Sequence, residues 1–404
     1  MSEAGRDENS PSGLALAGVQ FFFTLGWTVY VIYLPGLLKG VGIAASWLPW
    51  LLMADQLVFA VMDIAFGLAA DRMAGGYQKL ARLLLVLTSV SAAAFLLIPL
   101  AGVASAGLLL FLLAIWVISA SVVRAPTLIL LAKRAKAAQQ GQLVVWYTGG
   151  IALAFALSPF LGLWLQGVDP RLPFGISALV LVLAVGVLLR AGNAPVRSAD
   201  DEVPQPLPYQ AYLPLLLVLG LAGLGFQMHA FVNAAPMYQA LAPKENLPWL
   251  LPLLWLGFFV ALPVLGKLVK RFGALTVAAT GILLTALSSY AATQVDVLGT
   301  LIVWQLLTGI GWALAFAGLM EQASADGTRG AEGLFMGSFF AVTAISSFAR
   351  IGFATQYLPT HKDIQFALPA SLLLATTLLA TLYAFQRRQA CQMADSSLQD
   401  KGPD

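Results

Sequence analysis

Five ionisable residues lie inside long apolar stretches of this sequence, and these residues are the most able to carry out chemistry there. They are Asp55, Asp63, Arg124, His229 and Arg350. Charged groups in hydrocarbon are costly, so they usually pair with one another, line a solute pathway or carry protons. A carboxylate beside an arginine could bind a proton or a cation when the pair opens. These residue types therefore predict ion binding inside a membrane.

The composition indicates that lipid is the solvent around these residues. Hydrophobic residues make up 59% of the 404-residue chain and charged residues 10%, against about 25% charged in an average soluble domain. The first dozen residues are polar and mixed in charge, so we expect no cleavable signal peptide. Cys391 is the single cysteine, which excludes an intrachain disulfide and a cysteine-based metal site. The basic residues are scattered, so we expect no nucleic-acid partner.

Twelve apolar runs are long enough to position these residues across a bilayer, which takes about 20 residues in a helix. They are continuously apolar without period-two alternation, which predicts helices rather than barrel strands. Numbered 1 to 12, the runs cover residues 13–38, 46–70, 80–102, 106–132, 142–166, 173–193, 212–238, 247–269, 274–294, 297–320, 332–356 and 364–386.

A polar, proline-rich stretch at residues 194–211 lies at the midpoint and reads as a linker. It predicts two six-helix bundles, 13–193 and 212–386, with tails at 1–12 and 387–404. With the N-terminus inside, cytoplasmic segments carry 16 Lys and Arg and the opposite side carries four. By the positive-inside rule, both termini face the cytoplasm.

A short loop motif occurs once in each half, 199 residues apart, and follows an apolar run each time. Such duplication is typical of membrane proteins built from two related halves. The first copy, GLAADR, contains Gly67, Asp71 and Arg72, and the second, GKLVKRFG, contains Gly266, Arg271 and Gly273.

With these motifs, twelve helices and a central linker, the chain resembles the major facilitator superfamily over nearly its whole length. The family pattern is Gly-x-x-x-Asp-Arg-x-Gly followed by basic residues. Here the second glycine comes one position late, and Lys270 stands where the first copy has Asp71. The resemblance implies an all-α fold of two pseudo-symmetric six-helix bundles. It also implies that Asp71 is a cytoplasmic latch at the N-terminal end of helix 11, where the helix dipole favours a carboxylate.

The same resemblance makes helices 2 and 4 neighbours, which brings two of the intramembrane charges together. Asp63 lies eight residues from Asp71, about 12 Å along a helix, and Arg124 lies nine residues from Lys133, about 13 Å. The two are therefore level, and we expect a buried ion pair. Either this pair is permanent and only fixes packing, or it opens when Asp63 takes up a proton or a monovalent cation.

In the superfamily, helices 1, 4, 7 and 10 line a central cavity. Gly18-Val19-Gln20 on helix 1 matches Gly225-Phe226-Gln227 on helix 7, an internal echo within the expected binding site. His229 has two interpretations. Either it contacts a ligand or takes up a proton, or it is a hydrogen-bonded structural residue. The aromatic residues favour an amphipathic or ring-containing organic solute. The expected cavity residues are Gln20, Trp27, Tyr30, Trp116, Gln227, His229, Asn233, Trp304, Gln305 and Trp312.

Asp55 and Arg350 form a candidate outer gate. Asp55 lies about 24 Å from the cytoplasmic end of helix 2, and Arg350 lies about 10 Å below the outer end of helix 11. Helices 2 and 11 face each other in the superfamily, so the opposite charges would be level. The alternative is that each residue pairs within its own half.

The leading hypothesis is a secondary transporter of the plasma (inner) membrane that works by alternating access, is coupled to protons, and acts as a monomer without a cofactor or metal. Ser158-Pro159 on helix 5 resembles an exporter motif and slightly favours antiport. Asp63-x-x-x-Gly67-x-x-x-Asp71-Arg72 resembles glycoside–cation symporters and keeps coupled uptake open. A receptor or assembly protein on the same fold is a third class. An enzyme is not expected, because the sequence shows no nucleophile–base set.

Overall fold

The computed structural model describes residues 10–73, 77–132, 137–191, 208–327 and 331–399. Within these residues the chain is helical without strands, and twelve helices are long and apolar enough to cross a membrane. The all-α fold class predicted from the sequence is confirmed. We number the twelve helices α1 to α12 in chain order.

The first six helices run from residue 10 to residue 191. α4 consists of two pieces, α4a and α4b, separated by a 3-10 turn at Ser121–Val123. The bounds are α1 Ser10–Gly40, α2 Leu48–Arg72, α3 Tyr77–Ala101, α4a Ala106–Ala120, α4b Ala125–Ala132, α5 Ala137–Trp164 and α6 Arg171–Ala191.

The last six helices begin at residue 209. α7 also consists of two pieces, α7a and α7b, joined by a π-helical segment at His229–Asn233. The bounds are α7a Tyr209–Met228, α7b Ala234–Leu241, α8 Pro252–Phe272, α9 Ala274–Ala292, α10 Leu298–Asp326, α11 Glu332–Gly352 and α12 Ala367–Gln399. A one-turn helix at Leu247–Leu250 precedes α8, and a π-helical turn at Phe353–Tyr357 follows α11.

α12 is longer than its predicted apolar run. The run ends at residue 386, whereas the helix continues to Gln399. Hydropathy marks the edge of the hydrocarbon and not the end of the helix. Residues 194–207 of the predicted linker, 194–211, lie outside the described residues. The last residues of the predicted linker belong to α7a, which begins at Tyr209.

The two halves pack most closely where α2 crosses α11. A Cβ atom on Gly67 would meet the carbonyl oxygen of Gly333, and one on Gly333 would meet the carbonyl oxygen of Gly67. A Cβ atom on Gly337 would likewise meet the backbone of Asp63. Small residues allow backbones to approach this closely in membrane bundles. The sequence therefore builds this crossing from glycines at the level of the loop motif and of Asp63.

The break in α4 places Arg124 outside helical geometry, with φ −79° and ψ −96°. Pro126 accounts for the break, because proline lacks an N–H and its ring clashes with the carbonyl four residues earlier. The carbonyl of Val123 is satisfied by the Gln20 amide at 2.9 Å and by the Thr127 hydroxyl at 2.8 Å. The predicted continuous run 106–132 is thus a discontinuous helix, of the kind found at solute and ion sites in transporters.

Candidate functional site

Asp63 and Arg124 form the ion pair expected from their depths. Arg124 Nη2 lies 3.3 Å from Asp63 Oδ2. The Asp63 side chain is fully buried, and neither of its carboxylate oxygens has a hydrogen-bond partner among the described residues. A buried carboxylate usually needs both an ion-pair partner and hydrogen bonds. This one is therefore held by a single cation.

Arg124 also connects the two halves of the protein. Its Nη2 donates to the carbonyl oxygen of Phe340 at 3.2 Å and to the Thr343 hydroxyl at 3.3 Å, both on α11. The guanidinium lies over the ring of Phe59, 4.8 Å from the centroid, in a cation–π contact. A change in the charge of Asp63 would therefore act on a side chain that bridges the halves.

An aromatic cluster in the N-terminal half joins this pair to Asp55. Trp27 stacks on Trp116 with a centroid separation of 5.7 Å and lies 5.3 Å from Phe59. Tyr30 packs against Trp116 at 4.6 Å and donates its hydroxyl to Asp55 Oδ2 at 2.7 Å. Trp27, Tyr30 and Trp116 therefore lie together, as part of one packed core.

Asp55 and Arg350 do not contact each other. Asp55 accepts the Tyr30 hydrogen bond within its own half, whereas Arg350 Nε donates to Gln227 Oε1 at 3.3 Å within the other half. Their levels agree with the sequence-based estimate, because a Cβ on Gly352 would lie 3.1 Å from the side chain of Met53. The structure thus shows the alternative arrangement, in which each charge has a partner in its own half.

The remaining polar residues of α7 bond inside the C-terminal half. His229 Nε2 lies 3.0 Å from Gln305 Oε1, and both side chains are buried. Asn233 Nδ2 donates to the carbonyl oxygen of Gln365 at 2.9 Å, just before α12. The π-helical segment that carries them is a feature frequently found at functional sites. His229 is thus a buried, hydrogen-bonded residue, and its contact with a ligand or a proton stays a prediction.

Three further expected cavity residues lie in packed surroundings. Gln20 is 1% exposed and bonds to the break in α4. Trp312 stacks face to face on Phe226 with a centroid separation of 4.2 Å. Trp304 packs at the edge of a small cluster that includes Met237. Gln227 differs from these three, because it lies beside Arg350 and is only partly buried.

The loop motif of the first half contacts the second half directly. Asp71 Oδ1 accepts a hydrogen bond from the backbone N–H of Gly333 at 2.7 Å, and its Oδ2 accepts one from Leu334 at 2.8 Å. Ala331 is the N-cap residue of α11 and provides no side-chain hydrogen bond. Asp71 thus caps the helix from the other half, where the helix dipole also favours a negative charge. Arg72 is exposed.

The second copy of the motif ends a helix instead. Gly273 has φ 82° and follows α8 as its C-cap, a conformation that favours glycine. Arg271 lies over the ring of Phe272 at 5.1 Å, and a Cβ on Gly266 would meet no atom within 4 Å. The two copies of the motif therefore have different local roles. The first copy, with Asp71, caps a helix of the other half, and the second copy, with Lys270 at that position, ends its own helix.

Sequence reasoning missed the partners that come from other helices. Thr343 and Ser347 on α11 contact Arg124 and Gln227 respectively. Together with Arg350 they are spaced i, i+4 and i+7, the pattern of one helix face, and that spacing was the available signal. Among the described residues, no group of three or more His, Cys, Asp and Glu side chains could hold a metal ion.

Together, twelve spanning helices, a broken helix beside a buried ion pair and a capped crossing between halves define a multi-pass membrane protein of the transporter class. The family model of the Major Facilitator Superfamily matches residues 16–349. The chain belongs to this superfamily. It is a transporter and not an enzyme.

Solved structures share the fold at low sequence identity. The human organic anion transporter MFSD10 (TETRAN) has a TM-score of 0.74 and 16% identity, with 93% of this chain and 100% of that chain covered. A bacterial homologue of the iron transporter ferroportin, in an outward-facing state with soaked iron, has a TM-score of 0.71 and 14% identity, with 93% and 99% covered. No curated protein sequence matches the chain significantly.

Proposed function

We propose that this protein moves a small organic, amphipathic solute across the plasma (inner) membrane by alternating access, as a monomer, with transport coupled to protons. The observation that carries the proposal is Asp63, a fully buried carboxylate with one ion-pair partner and no hydrogen bond. A proton on Asp63 would remove the charge that holds Arg124. Arg124 would then keep its hydrogen bonds to Phe340 and Thr343 on α11 and its cation–π contact with Phe59.

This arrangement supports coupling, because one side chain, that of Arg124, responds to the protonation of Asp63 and also contacts the other half. Arg124 is shared between a titratable group in its own half and the backbone of the other half. A proton can shift a two-state equilibrium only if it binds the two states with different affinity. The strength of the Asp63–Arg124 contact would supply that difference, provided that the contact changes when the halves move.

The test is a proton-flux measurement in proteoliposomes that contain a pH-sensitive dye. Solutes identified by thermal shift of the purified protein are added to one side. The parent protein should move protons in a solute-dependent way, and Asp63→Asn should abolish the proton flux while keeping solute exchange. Asp296→Asn, on the exposed loop before α10, is the control. A parent-like proton flux in Asp63→Asn would show that the ion pair only fixes packing.

The sign of the pH change separates antiport from symport. Export by antiport is slightly favoured because Ser158-Pro159 in α5 resembles an exporter motif. In antiport, solute entry would move protons out of the vesicle. In cation-coupled uptake, the second candidate, protons would move in the same direction as the solute. A receptor or assembly protein would give no flux of either kind.

A further inference from the structure

One face of α11 is polar and directed towards other helices. Thr343, Ser347 and Arg350 fall within about 60° of arc at 100° per residue. Thr343 accepts a hydrogen bond from Arg124 of the other half, so this face meets the interface between the halves. Ile345 lies on the opposite side of α11 and is 44% exposed at the outer surface of the bundle.

Arg350 has only neutral partners on this face. Its Nε donates to Gln227 Oε1 at 3.3 Å, and its guanidinium lies 5.1 Å from the ring centroid of Phe231. Across the ranges that the structure describes, no ion pair joins Arg350 to a carboxylate. An arginine inside the membrane without an anionic partner is costly to maintain. Such a cost is offset when an anion binds there.

The groups around Arg350 are hydrogen-bond donors. Gln227 Oε1 already accepts from Ser347 at 2.9 Å and from Arg350, which uses the only acceptor of that amide. The amide nitrogen of Gln227 and the two terminal nitrogens of Arg350 make no hydrogen bond within the described residues, and both side chains are partly exposed. A guanidinium has no acceptor atom. The free groups are therefore all donors.

We propose that Arg350 and Gln227 bind the anionic group of an organic substrate at this face of α11. The proposal rests on the transport function above and names its substrate class, which is small organic anions with an apolar body. A carboxylate would accept hydrogen bonds from the terminal nitrogens of Arg350 in bidentate geometry and from the Gln227 amide. Ser347 acts as a positioning residue, because it holds the Gln227 amide with its nitrogen free.

Aromatic rings beside the guanidinium provide the surface for the apolar body. Phe231 lies against Arg350 and is 44% exposed. Phe155 of the other half lies 5.6 Å from Phe231 and stacks on Trp255 at 4.5 Å. Both halves therefore contribute rings next to the anion-binding donors, as a site between two moving halves requires. Aromatic or aliphatic carboxylates fit this combination of charge and apolar surface.

The experiment compares acids with their neutral amides in thermal-shift titrations of the full-length protein in detergent. The probes are benzoate, 1-naphthoate and octanoate, each with the corresponding carboxamide. At least one acid should stabilise the parent protein, and its amide should not. Arg350→Gln should weaken binding of that acid by about tenfold to a hundredfold, the range for a lost charge-assisted hydrogen bond. Arg171→Gln, at an exposed outer position, removes the same charge elsewhere and should bind like the parent.

Gln227→Glu provides a second variant if Arg350→Gln does not fold. This nearly isosteric change places a carboxylate beside Arg350, so it should remove acid binding while keeping the thermal stability of the ligand-free protein. The proposal is overturned if none of the three acids binds the parent, if amides bind as well as acids, or if Gln227→Glu and Arg350→Gln bind acids like the parent. Loss of proton coupling is measured separately through Asp63, so either proposal can fail without the other.

Discussion

Asp71 caps a helix that belongs to the opposite half of the molecule, with its Oδ1 2.7 Å from the backbone nitrogen of Gly333. The contact closes the α2–α11 crossing at the C-terminal end of α2, the end predicted to face the cytoplasm. It combines two hydrogen bonds to a charged acceptor with a favourable helix dipole, and each such effect contributes on the order of 1 kcal/mol. A cap that joins two halves exists only while those halves are together on this side.

We therefore expect Asp71→Asn to shift the population towards states that are open to the cytoplasm. Asparagine keeps one acceptor oxygen but loses the second acceptor and the charge. The measurement is the labelling rate of a cysteine placed at Ser338, which is 2% exposed on α11, in a Cys391→Ser background. Labelling should become several-fold faster. Asp296→Asn should label like the parent, and equal rates in Asp71→Asn would remove the latch role.

Gly333→Ala should open the same crossing by steric means. The added methyl group would meet the carbonyl oxygen of Gly67 and would lie 2.7 Å from Asp71 Oδ1. We expect faster labelling at Ser338 and a lower melting temperature. The matched control is Gly186→Ala in α6, where an added Cβ meets nothing within 4 Å. If both alanine variants behave alike, close backbone contact at this crossing is unimportant for closure.

Arg124→Ala should destabilise the protein by about 3–5 kcal/mol, because it leaves the Asp63 carboxylate buried without a partner. Asp63→Asn alone should cost less, since Arg124 keeps its hydrogen bonds to Phe340 and Thr343. The double variant should be more stable than Arg124→Ala, as measured by thermal unfolding in detergent. A double variant that is no more stable than Arg124→Ala would show that the ion pair is not the source of the loss.

Asp55 and Arg350 do not contact each other in this conformation. We expect them to pair in another conformation, in which the outer ends of α2 and α11 close against each other. Asp55→Arg and Arg350→Asp are each expected to increase labelling of an outer-face cysteine, and the double swap should restore the parental rate. Labelling is the appropriate measurement, because Arg350 is also proposed to bind substrate. Tyr30→Phe is the companion variant, since it releases Asp55 from its present hydrogen bond. A double swap no better than the worse single variant would exclude this gate.

The twelve helices could be predicted from sequence because long apolar runs are required to cross hydrocarbon. The Asp63–Arg124 pair could also be predicted, since depth along a helix follows from residue number and the resemblance to the superfamily implied that helices 2 and 4 are neighbours. Side-chain partners that depend on the rotation of a helix about its own axis could not be predicted. Helices that are apolar on nearly every side do not reveal which face meets which neighbour, so the Tyr30 partner of Asp55 and the Gln227 partner of Arg350 required the structure.

The break in α4 was missed for a related reason. Pro126 signalled a disturbance, but hydropathy counts a broken and a continuous helix alike. The partner that makes the break tolerable, Gln20, comes from α1, more than a hundred residues away in sequence. Its resemblance to Gln227 favoured a ligand-binding role for both residues. The two lie in different surroundings, because Gln20 bonds to the interruption in α4, whereas α10, the corresponding helix of the other half, is continuous from Leu298 to Asp326.

The bond between Gln20 and the α4 break has a mechanical consequence. Sliding α1 past α4 would take the buried amide nitrogen of Gln20 away from both of its acceptors, the Val123 carbonyl and the Thr127 hydroxyl, and a buried polar group without a partner costs several kcal/mol. The two helices are thereby pinned in register at mid-membrane. We expect the N-terminal half to turn as one rigid unit during transport. We expect bending to take place in the other half, at the π-helical turns of α7 and α11, because helices bend most readily at such turns.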